Sequence, residues 1–244
     1  MDNGHITEGR LPSVKNKLDD VETVLFDLDG TLIDSAPIYY QIIDIIFERL
    51  GVPPVSRKIL QDAMDDGDFD WDYVLPHSMK PRKEKLIAEA RRIIEEVAPP
   101  MFRQQIKLIP GAAEACTRIA DSDLTMGLVT STPREYLAVK LVPLQEAGLE
   151  NLLQVIVAAD DVTHKKPHAE PLVEASRLLD TAVERCVYVG DTRVDIRAGV
   201  AAGMKTVGVL TGFDDFEALK KENPAAIIDS VADLDQIINS RATK

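Results

Sequence analysis

Six short apolar runs recur along the chain, at 24–29, 124–129, 155–159, 186–190, 206–210 and 226–229. None alternates apolar with polar residues. Such runs predict strands buried on both faces, which occur in parallel sheets covered by helices. Helix-like segments lie between most of the runs or after the last, at 111–120, 134–147, 168–179, 193–202 and 231–239. This strand–helix rhythm predicts an α/β fold: a parallel sheet core with helices on both faces.

One interval breaks the rhythm, between the first run and the second. It holds PIYYQIIDIIFERL (37–50), with Ile38, Ile42, Ile45, Ile46 and Arg49 along one side, and RKEKLIAEARRIIEEV (82–97), with Leu86, Ala90, Ile93, Ile94 and Val97 forming a helical stripe. An insert of this length is too long for a loop, and both stripes have the helical period. The expectation is a polar arm over 1–20, a discontinuous core over 21–34 and 110–244, and an all-helical cap inserted over 35–109.

Parallel sheets bind ligands at the carboxyl ends of their strands, and there the reactive residues collect. The stretch VLFDLDGTLIDS ends the first strand with Asp27 and Asp29; LVTST brings Thr130 and Ser131; GDTRVD brings Asp191 and Asp195; Lys166 precedes Pro167 in the loop after the third strand. Clustered carboxylates repel one another unless something positive joins them. A hard divalent cation does so, and Mg2+ suits one or two carboxylates, waters and a phosphate oxygen. Asp27 and Asp191 are the candidate side-chain ligands, with Asp29 offering its backbone carbonyl. Asp27 then becomes a candidate nucleophile towards phosphorus, and Asp29, two residues on, a candidate acid and base at the leaving oxygen. Gly30 permits the sharp turn, and Thr31 is expected to shape the pocket.

The four segments DLDGTLIDS, LVTST, KKP and GDTRVD, in this order, resemble the motifs of the haloacid dehalogenase-like hydrolase superfamily, in its phosphoglycolate phosphatase-like branch. The likeness covers residues 22 to 240 and implies a Rossmann-like core. By position it implies Asp27 as nucleophile, Asp29 as acid/base, Thr130 as the hydroxyl that holds the transferring phosphoryl group, and Lys166 as the lysine that steadies nucleophile and phosphate. Asp191 matches the metal-binding acid and Asp195 the further acid of that loop, which either touches the metal through water or braces the loop. Ser131 stands where phosphatase relatives commonly carry Asn. An acid at position 29 points to phosphate esters, because phosphoryl transfer needs proton traffic at the leaving oxygen and halide expulsion does not. The expected activity is a Mg2+-dependent phosphatase of small phosphorylated metabolites. A phosphosugar mutase or pyrophosphatase is the alternative, and a non-catalytic binding protein a more distant one.

Formal net charge is −13, and no dense Lys/Arg cluster is present, so neither nucleic acid nor an anionic membrane surface is an expected partner. The start lacks the apolar segment of a signal peptide and no run approaches the ~20 apolar residues of a membrane span, which predicts a cytoplasmic protein; the expected state is a monomer or weak homodimer. Cys116 and Cys186 sit in apolar runs and read as buried thiols. His164 and His168 flank Lys166 and are expected to be exposed loop residues; four scattered histidines predict no zinc site. Arg193 and Arg197 are candidates to pair with Asp195 or its neighbours, and Asp160–Asp161 to help position the lysine. In AMDDGDFDWDYV (63–74), Phe69, Trp71 and Tyr73 either wall the substrate pocket or seat the insert's own core, and Gly67 falls where cap domains place a specificity loop. One or two of Arg57, Lys58, Lys80, Arg82 and Lys83 are expected to face an anionic substrate.

Overall fold

The computed structural model describes residues 18–64 and 69–240. The polar lead up to residue 17 and the Gly67 segment of the acidic loop lie outside the described residues. Residues 18–20, expected in the arm, belong instead to a strand. In β1 (Leu18–Val21), buried Leu18 and Val21 bracket two exposed acids. β1 pairs in parallel with a short strand near the end of the chain, Leu18 opposite Ile238.

The main sheet begins with β2 (Thr23–Phe26), every residue of which is buried. The expected strand to residue 29 stops earlier. Backbone N–H groups of Leu32 and Ile33 turn back to the Leu28 carbonyl, and Gly30 takes φ +77°, a region that costs other residues strain. The chain then leaves the core for α1 (Ala36–Leu50), α2 (Arg57–Asp62), α3 (Trp71–Val74) and α4 (Lys83–Gln105). These helices share an apolar cluster built on Ile38, Ile42, Ile46, Phe47, Leu86 and Phe102. Arg49 is exposed, while Phe47 is buried and meets Trp71 of α3, ring centroids 6.4 Å apart. α4 runs past the expected end at Val97, through Pro99 and Pro100. Buried Ala98 and Phe102 carry it on, so packing overrides the local propensity. Two extended segments form the neck between cap and core: Asp34 N–H donates to Lys107 O at 2.9 Å, and Ile109 N–H to Leu32 O at 2.9 Å.

Back in the core follow α5 (Ala112–Ala120), β3 (Thr125–Val129), α6 (Arg134–Lys140), α7 (Val142–Glu146), β4 (Leu153–Val157), α8 (Glu170–Leu178), β5 (Cys186–Gly190), α9 (Arg193–Ala202), β6 (Lys205–Val209), α10 (Phe216–Lys221) and β7 (Ala226–Ile228). The helix expected over 134–147 is two helices, because Pro143 starts a new first turn, where its missing N–H costs nothing. The helix expected over 231–239 is a 3-10 turn at Val231–Gln236 followed by β8 (Ile238–Ser240). Buried Val231 and Leu234 are three apart, the 3-10 period, and Ile238 is drawn into pairing with Leu18.

The strands of the main sheet lie in the order β4-β3-β2-β5-β6-β7, and each neighbouring pair is parallel. The core is thus an α/β Rossmann-like sheet, with α1–α4 inserted as a helical cap. Connections run outwards one way from β2 through β3 and β4, then the other way through β5, β6 and β7. That reversal opens a crevice at the carboxyl ends of β3, β2 and β5. Asp27, Thr130 and Asp191, each the first residue after its strand, arrive there side by side. Among the described residues, no helix is long and apolar enough to cross a membrane.

Candidate active site

Asp27 follows β2 and is 5% exposed. Its backbone N–H donates to Val189 O at 2.8 Å, which ties the end of β2 to β5. Lys166 Nζ donates to Asp27 Oδ1 at 2.7 Å, to Asp195 Oδ1 at 2.6 Å and to the Tyr188 hydroxyl at 2.8 Å. Burial draws the Lys166 pKa down, but the Asp195 and Asp27 carboxylates outweigh it and hold the ammonium well above its ordinary value. Burial pushes the Asp27 carboxyl up to about 7; Lys166 opposes this, while Asp195 and Asp29 add to it.

Asp191 follows β5 and is 1% exposed. Phe213 N–H donates to its Oδ2 at 2.8 Å, and Thr31 Oγ1 to its Oδ1 at 3.4 Å. Burial raises its pKa well above the usual carboxylate range, and Asp195 and Asp27 raise it further. Gly212 lets the backbone approach here, since a Cβ at that position would collide with the Asp191 carboxylate.

Carboxylate oxygens of Asp27, Asp191 and Asp195 lie within 4.8 Å of one another. Three buried acids share a single ammonium, and the raised values at Asp27 and Asp191 express that deficit of positive charge. An all-oxygen donor set of this kind fits a hard divalent cation. The three acids are not equivalent. Asp195 accepts from Lys166 and Tyr188 at Oδ1, and from the Thr192 backbone N–H and hydroxyl at Oδ2. Its oxygens are occupied in bracing the loop and the lysine, which leaves Asp27 and Asp191 better placed to meet a cation directly.

The Asp29 carboxylate stands apart from this cluster, so only its backbone carbonyl suits the role foreseen for it at a cation. Both of its oxygens accept from Lys140 Nζ, each at 2.8 Å, and Oδ2 also accepts from Thr132 Oγ1 at 2.8 Å. Lys140 further contacts the Tyr39 hydroxyl of the cap. Its side chain is 3% exposed. Burial opposes its charge, but Asp29 and then Tyr39 outweigh that and raise its pKa. Lys140 and Thr132 escaped the sequence reading. The available signal was periodicity: Leu137, Lys140, Leu141 and Leu144 fall on one helical stripe, and a lysine on a core stripe needs a buried partner.

Thr130 and Ser131 line the cavity above Asp27. Thr130 Oγ1 accepts from the Thr132 N–H at 3.1 Å. Gly30 packs beside Asp191. Arg193 donates to Asp214, at 3.0 Å from Nη2 to Oδ1, and Arg197 to Glu222 at 2.8 Å. Asp161 accepts from Arg134 and from the Ala158 N–H, and Asp160 from the Arg134 N–H, so this pair fixes the start of α6 rather than Lys166. Phe69 and Trp71 pack against the cap core, and Tyr73 is exposed. The aromatic wall is instead Tyr39, Tyr40, Phe102, Tyr136 and Phe213. His164 and His168 are exposed and stacked at 4.6 Å. With Glu170 their ligating atoms lie within 4.8 Å, but both Glu170 oxygens already accept from loop N–H groups. Cys116 and Cys186 are free and buried, and burial pushes both thiols up, to about 12 and about 11.

Comparison with known proteins agrees with this geometry. Residues 24–209 match the sequence profile described as haloacid dehalogenase-like hydrolase. A phosphoglycolate phosphatase from Yersinia pestis is 30% identical over 215 residues, covering 88% of this chain and 91% of its own. One from Salmonella paratyphi A is 31% identical over 238 residues, covering 90% and 93%. Among solved structures, a predicted phosphoglycolate phosphatase from Haemophilus somnus superposes with TM-score 0.75 at 20% identity, over 90% of this chain and 99% of the other. A haloacid dehalogenase-like family hydrolase from Streptococcus pneumoniae superposes with TM-score 0.71 at 18% identity, over 89% and 98%. The chain belongs to the haloacid dehalogenase-like hydrolase family and is an enzyme of that class. Within the family it falls on the phosphoglycolate phosphatase-like branch, whose inserted helical cap it shares.

Proposed function

We propose that this enzyme is a Mg2+-dependent phosphatase that hydrolyses small phosphorylated metabolites through an aspartyl-phosphate intermediate. The observation that carries the reading is the setting of Asp27. It lies at a cavity floor with Lys166 on one oxygen and Asp191 and Asp195 within cation-sharing distance, while a second acid, Asp29, is held two residues on by its own lysine. When bound, Mg2+ would supply the positive charge that keeps Asp27 ionised and offsets the charge of the incoming phosphate.

Asp27 and Asp191 would hold the cation, with Asp195 fixing Lys166 and the loop. Lys166 and Thr130 would bind the phosphoryl oxygens. An Asp27 oxygen attacks phosphorus, and the bond from phosphorus to the ester oxygen breaks. Asp29 delivers a proton to that oxygen, then accepts one from the water that cleaves the aspartyl phosphate, which releases orthophosphate and restores both acids. Cap closure shields the site from bulk water. Contacts already bridge cap and core: Gln61 Nε2 donates to Phe213 O, and Arg193 Nη2 to Gln61 O at 3.2 Å.

The test uses phosphate release from 4-nitrophenyl phosphate. Activity is expected with Mg2+, lost on chelation and restored by readdition, and absent in Asp27→Asn with the fold intact. Turnover that survives thorough chelation would remove the metal from the reading.

A further inference from the structure

We infer that the substrate is the phosphate monoester of an apolar alcohol, aromatic or branched aliphatic, rather than of a carboxylated alcohol or a polyol. This rests on the phosphatase reading above and concerns what lies beyond the phosphate. The cavity over Asp27 has a volume of about 390 Å³, within the range of small-molecule sites. Its upper wall is drawn from Ile43, Ile46, Met64, Ile94, Phe102 and Phe213. Tyr39 meets Phe102 edge-on at 5.2 Å and Phe213 at 5.7 Å, so cap and core together form an aromatic slot.

Two lysines line the cavity among the described residues, and carboxylates meet both: Lys140 by Asp29, and Lys166 by Asp27 and Asp195. The cations expected to face an anionic leaving group do not reach it. Arg57 lies over the Tyr40 ring, 3.9 Å from its centroid, and pairs with Asp44. Lys58 pairs with Asp62 and Lys83 with Asp72, and Lys80 and Arg82 are absent from the lining. Residues 65–68, Asp-Asp-Gly-Asp, contain no cationic side chain. A carboxylate on the leaving group would therefore be desolvated against hydrocarbon beside acids that repel it. For a polyol, the Gln61 Nε2 is engaged by the Phe213 carbonyl and the Tyr39 hydroxyl by Lys140, leaving chiefly the Ser131, Tyr40 and Tyr136 hydroxyls to meet it along an otherwise apolar wall. Each methylene placed against this wall favours binding about fourfold.

The experiment measures kcat/KM for phosphate release by the full Mg2+-loaded chain, on 4-nitrophenyl phosphate, phosphoglycolate, glucose 6-phosphate, benzyl phosphate and a series of straight-chain alkyl phosphates. Expected are a rise of about fourfold per methylene through the short alkyl members and benzyl phosphate at least about 100-fold above phosphoglycolate, from about fourfold per buried methylene. Ile94→Arg places a cation at the cavity wall from a half-exposed position; it is expected to raise the phosphoglycolate value about tenfold or more and to lower the benzyl value. Phosphoglycolate or glucose 6-phosphate matching the apolar esters, or an alkyl series that stays flat, overturns the substrate assignment while leaving the phosphatase intact. No release from any compound, 4-nitrophenyl phosphate included, overturns the phosphatase reading and this inference with it.

Discussion

Replacing Lys140 with Met keeps the length of the side chain and removes its charge. In the native enzyme the ammonium bonds both oxygens of Asp29 at 2.8 Å, with Lys140 3% and Asp29 15% exposed at the side chain. Breaking a buried pair costs about 3–5 kcal/mol, because the abandoned charge stays desolvated. Asp29 keeps the Thr132 hydroxyl and an edge on the cavity, so the lower figure applies, about 3 kcal/mol. For a chain of this size that is a fall in Tm of about 6–12 °C. Chemical denaturation of the native protein, Lys140→Met, Asp29→Asn and the double variant should give a coupling of about 2 kcal/mol. Kinetics separate positioning from mere structure. An alkyl phosphate needs Asp29 held in place to deliver a proton to the leaving oxygen, and Lys140 is what holds it, so kcat on it should fall about 100-fold. The nitrophenolate group leaves unaided, and its release should fall far less. A Tm within 2 °C of native, a coupling below about 0.5 kcal/mol, or equal losses on both substrates would refute this role for Lys140.

Leu86, on α4, is fully buried in the apolar cluster of the cap; Leu86→Ala should cost about 2–5 kcal/mol by urea denaturation, and a loss below about 1 kcal/mol would mean that the cap packing is loose. Gly212→Ala drives a methyl into the Asp191 carboxylate, and calorimetry should show Mg2+ binding weakened about tenfold or more, whereas native affinity would clear that contact of any part in holding the cation. Asp27 has a folded-state pKa of about 7 against an ordinary 3.8. A raised acid stabilises the fold below its unfolded value, and that contribution is lost as pH climbs through the folded one. Metal-free protein should therefore lose urea resistance between pH 3.8 and about 7, with Mg2+ restoring it at the upper end; a metal-free midpoint that rises across that window contradicts the burial argument.

Much of this is legible in the sequence. Buried strands of a parallel sheet announce themselves as unbroken apolar runs, and each of the six runs overlaps a strand of the main sheet. Strand ends carry their chemistry in sequence too, because the first residue after a central strand has one place to go. Asp27, Thr130 and Asp191 were readable for that reason. What escaped depends on non-local contacts. β1 has no apolar run of its own and exists because Ile238 returns beside Leu18. α4 passes two prolines because Phe102 has a partner in Tyr39. Trp71 and Tyr40 are both aromatic residues of the insert, yet one packs towards the cap interior and the other faces the cavity, and only the docking of cap on core decides which. Lys140 is the instructive case, since its stripe marked it as buried while nothing local named Asp29 as its partner.

The most direct measurement is to locate the phosphorylated residue. Mg2+-loaded enzyme would be mixed with 4-nitrophenyl phosphate, quenched in acid during turnover, and reduced with borohydride, which converts an aspartyl phosphate to homoserine. Peptide mass spectrometry should find homoserine at position 27 and nowhere else, and none in Asp27→Asn. Turnover with no homoserine, or homoserine at another aspartate, would contradict Asp27 as the nucleophile.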